Sequence, residues 1–445
     1  RGAAPRRPLR HLRRDRRADR VARHAQALPQ GHHAVRVHRV GCAGVFEPRV
    51  VYRARGNPPA GRGGLPAGAN RRRAARVSGK GACGQHRPRS AGACDPRAGA
   101  EGARPVTEID QRNKAAARAY WRVCDSSPPD ALADALEPCV APDVTVDAFA
   151  PLGRLTGPGA FAARCLAPLR AALPDLTRQV HIVMAGASDG KADGTPDGAH
   201  WVGGTGYLTG TQTAPVWDIP ARNRYLRLRW GEFLRFDAAG RIVQVQLLID
   251  LIDWLEQIGL SPLPPSRGVP FVYPAPTGAD GALWEPHGDA SDLLAFARQF
   301  IFGGLNAFDR TDLKTMGMAD YFHPNLKWYG PGGIGACLSF SEFETLHQRP
   351  WLTAFPDRKV GDLDNLIAEG AFVGASSLPG VWLTQTGPYL GHAPSGRRAG
   401  VNGIDFWRHD NGCFTENWVF VDMPHLFAQL GVDLMARVRH MAGAG

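Results

Sequence analysis

The chain has no apolar stretch approaching the 18 or so residues of a membrane span, and no apolar core follows its basic start as a secretion signal would require. A helical anchor is therefore not expected, and a reducing cytoplasm is the expected compartment. Cysteine is sparse. Cys42, Cys83, Cys94, Cys124, Cys139, Cys165, Cys337 and Cys413 form no Cys-x-x-Cys pair, and their scatter fits neither a zinc site nor a disulfide framework. His323, His392 and His425 fall in loops or at a helix start, no histidine pair has ligand spacing, and no metal is expected. A Gly-x-Ser-x-Gly elbow and a Walker loop are both missing, and Gly203-Gly204-Thr205-Gly206 lies inside a strand run rather than opening a helix. Hydrolase, nucleotide-triphosphate and dinucleotide chemistry thus find no support.

Acidic side chains are almost missing from residues 1–104, which hold about 25 basic groups, nearly all Arg, against about 5 acids. Since the whole chain carries +12, the remainder is near −8, so the basic balance belongs to the leader and gives the folded part no nucleic-acid signature. The leader is Arg, Ala, Gly and Pro with few large apolar residues, and it is expected to be disordered. A run such as Arg13-Arg14-Asp15-Arg16-Arg17 suits phosphates, but no aromatics are interleaved for base stacking. GC-rich DNA encodes this composition in almost any frame, and an upstream or out-of-frame extension is the expected status of residues 1–104.

What the chain does contain is one set of signals twice, in one order. Residues Ala172 to Asp175, Gly206 to Leu208, Glu232 to Gly240 and Ile249 to Gly259 are echoed by Ala354 to Asp357, Pro388 to Gly391, Asp405 to Gly412 and Val421 to Gly431. A period of roughly 175 residues exceeds the 20 to 50 typical of solenoid units, so each copy is expected to be a domain with its own core. The domains read as 105–260 and 287–435, separated by a Pro-rich linker at 261–286.

Each copy reads as helix, helix, strand, helix and then a strand meander, an α+β pattern. In the first, helices are expected over Val106 to Cys124, Asp130 to Val140 and Gly157 to Leu173. Its strands are Asp143 to Phe149, Leu176 to Ala185, His200 to Leu208, Arg224 to Phe236 and Arg241 to Ile249. The second copy has Asp292 to Phe308, Thr311 to Tyr321 and Ser339 to Ala354 as helices. Its strands run from Leu326 to Tyr329, Lys359 to Ala368, Phe372 to Ser376, Val381 to Tyr389, Gly400 to Arg408 and Cys413 to Val421. A bent antiparallel sheet wrapped on helices leaves an apolar cone suited to a small organic ligand. The loop from Gly330 to Gly335 reads as a mobile lid over it.

Pro356-Asp357 after the third helix, the Pro394 to Arg397 loop, and the strand pair Gly403 to Arg408 and Phe414 to Trp418 resemble SnoaL-like polyketide cyclases of the nuclear transport factor 2-like fold. The resemblance spans about residues 106 to 435 and rests on distributed signals. It implies a cofactor-free intramolecular aldol closure in which a carboxylate in the cone moves protons. It also implies that this acid directly follows the Trp of a Glu-x-Trp-Asp signature, where Trp418 is here followed by Val419 and the first copy has Gln246-Leu247. Single-domain relatives pair through their sheets, so an intramolecular pseudo-dimer is expected, with a further homo-oligomer left open.

Period-2 geometry puts Gly403, Asp405, Trp407 and His409 on one strand face, and Thr415, Asn417, Val419 and Val421 on one face of the next. Asp405 is thus the candidate proton-transfer group, with His347 or Asn417 assisting. Tyr329, Trp351, Trp382, Tyr389 and Trp407 are candidate cone-lining residues, although aromatics at alternating strand positions also build cores. Glu232 is the first copy's counterpart of Asp405 and a candidate binding group, but Arg227, Arg229 and Arg235 make a surface ion pair an equal reading. The leading reading is a cofactor-independent enzyme on a hydrophobic carbonyl compound in the second domain, the first being mainly structural. A non-catalytic binder of a lipid-like or aromatic molecule and a ligand-free scaffold are the alternatives.

Overall fold

The computed structural model describes residues 35–37, 49–51, 108–309 and 312–443. In the Arg-rich leader, Val35–Val37 (β1) and Arg49–Val51 (β2) pair antiparallel, and the expectation of disorder otherwise falls outside the described residues. The rest forms two α+β domains, each a curled, cone-like mixed sheet closed by helices, which is the nuclear transport factor 2-like architecture.

The first domain runs from helix α1 (Glu108–Ser126) through α2 (Leu132–Leu136), β3 (Val140–Ala148), β4 (Arg154–Thr156) and a third helix α3 (158–172). The meander β5 (Thr177–Ala187), β6 (His200–Gln212), β7 (Arg224–Phe236) and β8 (Ile242–Ile249) follows, then α4 (Leu251–Gln257). Its strand order is β4-β3-β8-β7-β6-β5, with β3 parallel to β8. The second domain repeats this with helix α5 (291–307), α6 (Met318–Tyr321), β9 (Phe322–Tyr329), β10 (Ala336–Cys337) and α7 (340–354). After β11 (Lys359–Val360) and β12 (Asn365–Glu369) come β13 (Phe372–Thr384), β14 (Arg398–Asp410) and β15 (Cys413–Val421), then α8 (Met423–Gln429) and α9 (Leu434–Gly443). The order β10-β9-β15-β14-β13-β11, with β9 parallel to β15, matches the first sheet strand for strand, and β12 pairs with β13. Where two separate strands were expected between Phe372 and Tyr389, β13 runs continuously to Thr384 through a bulge between Ser377 and Val381.

Alternation divides each sheet into a face on its own helices and a face on the other domain. On β7, Leu226, Leu228, Trp230, Glu232 and Leu234 point inward, so Gly231 and Phe233 point outward. Phe233 stacks on Phe406 with centroids 5.2 Å apart and an interplanar angle of 11°. Because Glu232 and Asp405 are counterparts, so are Phe233 and Phe406, and the contact is one position meeting itself as across a two-fold axis. Glycine at Gly203 and Gly374, again counterparts, admits the ring: an added Cβ would stand 2.5 Å and 2.9 Å from Phe233 carbons.

Two aspartates close the same interface reciprocally. Asp250 caps α4 by accepting from Asp253 N, and Asp422 caps α8 by accepting from His425 N. The second oxygen of Asp250 accepts from Gly332 N at 2.8 Å, in the loop after β9, and that of Asp422 accepts from Ala150 N at 2.8 Å, in the loop after β3. Fully buried Arg229 donates to Gly330 O at 2.7 Å and pairs with Asp253 at 2.9 Å. Gly330 to Gly335 is therefore not a lid: it is buried and bound to the first domain. The Pro-rich segment from 261 to 286 is irregular yet anchored, with Tyr273 and Leu283 buried, Val269 and Ala336 exchanging backbone bonds, and Val183 and Leu283 joined on the edge of β5.

A buried ion pair adds to this clasp. Lys114 of α1 meets Glu369 of β12 at 2.7 Å with both side chains about 1% exposed, and Glu369 also accepts from Ala185 N. Removing one member strands a charge out of water, which typically costs about 3–5 kcal/mol. Glu369→Ala should destabilise the chain by about that amount in urea unfolding, whereas Lys114→Met with Glu369→Leu should recover most of the loss.

Candidate functional site

The two cones differ in content. In the first, Trp121 and Trp230 meet edge to face at 5.4 Å and the Arg178 guanidinium lies 4.4 Å from the Trp230 ring centroid. Glu232 is sealed beneath them, accepting from Tyr120 Oη at 2.9 Å and Trp121 Nε1 at 2.6 Å, with Arg178 at 3.8 Å. Burial raises its carboxyl above the ordinary value while Arg178 opposes the shift. About 20 Å³ of space remains, little more than one water position. The surface ion pair considered for Glu232 is thus corrected: it faces inward, while Arg227, Arg229 and Arg235, one residue out of phase, lie on the other face. This leaves Glu232 no open cavity in which to bind a ligand.

The second cone holds a cavity of about 210 Å³. Its walls are mainly apolar and aromatic, from Phe300 of α5, Trp328 of β9, Phe343 and Trp351 of α7, Val401 of β14 and Met423 of α8. The curvature of the sheet places Asp405, Trp407, Asn417 and Val419 on its concave side, as period-2 phasing of β14 and β15 requires. Asn417 donates from Nδ2 to Asp405 Oδ1 at 3.3 Å and to Phe406 O at 3.0 Å. Burial among apolar groups pushes the Asp405 carboxyl up to about 7, the Asn417 hydrogen bond opposing. Asp405 and Val419 are paired directly across the strands.

Most of the expected site residues converge there, and besides Glu232 two do not. His347, Trp351, Tyr389, Trp407, Asp405 and Asn417 all line the cavity. His347 stacks on Trp328 at 4.1 Å, and burial together with the Arg358 charge lowers it to about 3, so its imidazole is neutral at physiological pH. Trp407 Nε1 and Tyr389 Oη are buried with no hydrogen-bond partner among the described residues. Tyr329, in contrast, lies on the opposite face of its sheet, donating to Glu416 at 3.2 Å. Trp382 is 45% exposed with the Arg398 guanidinium 5.2 Å from its ring centroid. Both departures follow from strand phase: Tyr329 neighbours the inward Trp328, and Trp382 neighbours the inward Val381. Ser376, Ser377, Gln348 and Arg358, which were not among the residues expected at the site, also line the cavity. For Arg358, its place just after Pro356-Asp357 was the only available signal.

The architecture defines the chain as a protein of nuclear transport factor 2-like fold with its open cone in the second domain. Residues 305–430 match the family SnoaL-like polyketide cyclase, a span that contains nearly all of the cavity wall. Among solved structures, TsrD from Streptomyces laurentii is 27% identical over 31% of this chain and 96% of its own, with a TM-score of 0.26. AclR from Streptomyces galilaeus is 22% identical over 32% and 96%, TM-score 0.26, and wild-type IdmH from Streptomyces antibioticus 21% over 32% and 98%, TM-score 0.24. No curated protein matches the chain. Among the described residues, no helix is long and apolar enough to cross a membrane.

The raised Asp405 carboxyl carries a cost in stability. Its ordinary value is 3.8 and its folded value about 7, so between those values the native state binds the proton that the unfolded state releases. Stability must fall as pH rises through that window, by up to about 4 kcal/mol at 1.36 kcal/mol per unit. Asp405→Asn should therefore flatten the decline in urea-derived stability between pH 4 and 8, leaving the variant more stable than the native chain at pH 8.

Proposed function

We propose that the second domain is an acid/base catalyst of the cyclase or isomerase type, acting on a hydrophobic carbonyl compound in its cavity. The observation that carries this reading is Asp405: a carboxyl held near neutrality in an apolar cavity, directly across the strands from Val419. Val419 follows Trp418, the position at which the resemblance to SnoaL-like cyclases implies the acid. Cross-strand side chains stand with Cβ atoms about 5 Å apart, so a carboxylate one strand over reaches nearly the same volume. The match of residues 305–430 to that family supports the same class.

In this reading the Asp405 carboxylate takes a proton from the carbon next to a substrate carbonyl. The enolate carbon then attacks a second carbonyl of the same molecule, and the Asp405 carboxylic acid returns the proton to the new alkoxide, which balances the step without a cofactor. A group titrating near 7 has both forms at hand. Asn417 positions the carboxyl through Nδ2, and Tyr389 Oη and Trp407 Nε1, lacking protein partners, are donors that a substrate oxygen would satisfy. Burial raises the Tyr389 phenol well above its ordinary value, so it donates without ionising. The first domain, its cone filled, supports the second. A non-catalytic binding protein is the second reading, favoured by Val419 standing where the acid is implied.

Deuterium exchange next to the carbonyl of 2-tetralone, followed by NMR in buffered D2O, separates the two. The full chain should accelerate exchange, and Asp405→Asn should reduce the acceleration by about 10²-fold or more while changing the ketone's Kd less than threefold. Binding of the ketone without accelerated exchange would sink the catalytic reading and leave the binder.

A further inference from the structure

One charged group of the cavity plays no part in that chemistry. Arg358 is 8% exposed, lines the cavity, and sits among Leu305, Met316, Leu352, Val360 and Leu363. Its hydrogen bonds run from Nη2 alone, to Leu305 O at 2.7 Å and to Met316 Sδ at 3.7 Å. The carbonyl belongs to the end of α5 and fixes the guanidinium in place; the thioether is a weak acceptor already shared with Gln348 Nε2 at 3.6 Å. No described carboxylate pairs with it, Asp405 included. Every other deeply buried cation described meets an acid: Lys114 has Glu369, Arg178 has Asp125 and Glu232, and Arg229 has Asp250 and Asp253.

A guanidinium cannot shed its charge at physiological pH, and burial of an unpaired cation is unfavourable unless something compensates it. Here even burial lowers it only to about 10. The five donors of the fork are preorganised for a carboxylate, and Nε and Nη1 make no hydrogen bond among the described residues. His347 lies close enough for the Arg358 charge to depress it, so an anion there would also relieve the imidazole.

We propose that the ligand of the second-domain cavity is an acid, a hydrophobic compound whose carboxylate pairs with Arg358 while its carbonyl end is offered to Asp405. The substrate class is then a hydrophobic keto acid rather than a neutral ketone or ester. This rests on the second-domain cavity being the working site, and the chain itself contains the only groups required.

The test compares two probes of one shape, 2-naphthoate and methyl 2-naphthoate, titrated at pH 8 against the full chain by tryptophan fluorescence. The naphthoate should bind at least tenfold more tightly than the ester. Arg358→Gln should bring the two within threefold of each other by weakening the naphthoate alone. Arg358→Lys, which keeps the charge and loses the fork, should fall between, and it decides the matter if Arg358→Gln does not fold. An ester that binds the native chain as tightly as the acid overturns the proposal while leaving the cavity reading intact. A naphthoate preference that survives in Arg358→Gln assigns the anion to another basic segment and also overturns it. Failure of both probes to bind removes the cavity reading together with the acid.

Discussion

The interface of the two sheets is the constraint on which the rest depends. Phe233 and Phe406 stack at its centre, Asp250 and Asp422 each hold a backbone N–H of the opposite domain, and buried Lys114 joins Glu369 across it. Each bond is made out of water, where an unpaired group is costly and a paired one specifies a single arrangement. Much of the convex face of each sheet is thereby covered, whereas the concave faces are free to differ between the copies, and function divides there.

That division comes down to a few side chains. In the first cone Trp121, Trp230 and Arg178 fill the space and Glu232 is satisfied by Tyr120 and Trp121, so its raised carboxyl has no reactant to meet. In the second, Asp405 is one methylene shorter, accepts a hydrogen bond from Asn417, and opens on about 210 Å³. The same register position thus serves as a structural anchor in one copy and as an accessible titrating group in the other. The interface also disciplines the cavity wall: Pro331 and Ile334 line it, and their loop is tied to the first domain by Arg229 and Asp250. A tandem arrangement holds that wall in place without depending on protein concentration.

The cavity sets electrostatic tasks that an apolar lining cannot meet alone. Asp405 is drawn toward its neutral form, His347 is held neutral, and Arg358 remains charged with no described carboxylate paired to it. Polar groups so placed detract from the stability of the empty protein, and such a pattern belongs to sites where stability is yielded to binding or chemistry.

Local periodicity determined much of this protein from its sequence alone. The duplicated signals gave two domains of one strand order, and period-2 phasing of Gly403 to His409 and Thr415 to Val421 brought Asp405, Trp407, Asn417 and Val419 to one concave wall. The same rule was not applied to Arg224 to Phe236, where it puts Glu232 on the face opposite its neighbouring arginines and so opposes the surface ion pair expected for it. What periodicity does not carry is what faces a surface from elsewhere in the chain. Only the tertiary structure decided that the first cone is filled, that Trp382, on the face away from the cavity, is left open to solvent, and that the Gly330 to Gly335 loop is bound rather than free. It alone put Arg358 in the cavity wall with no described carboxylate pairing with it, because burial and pairing depend on residues far apart in sequence that only the packed sheets bring together.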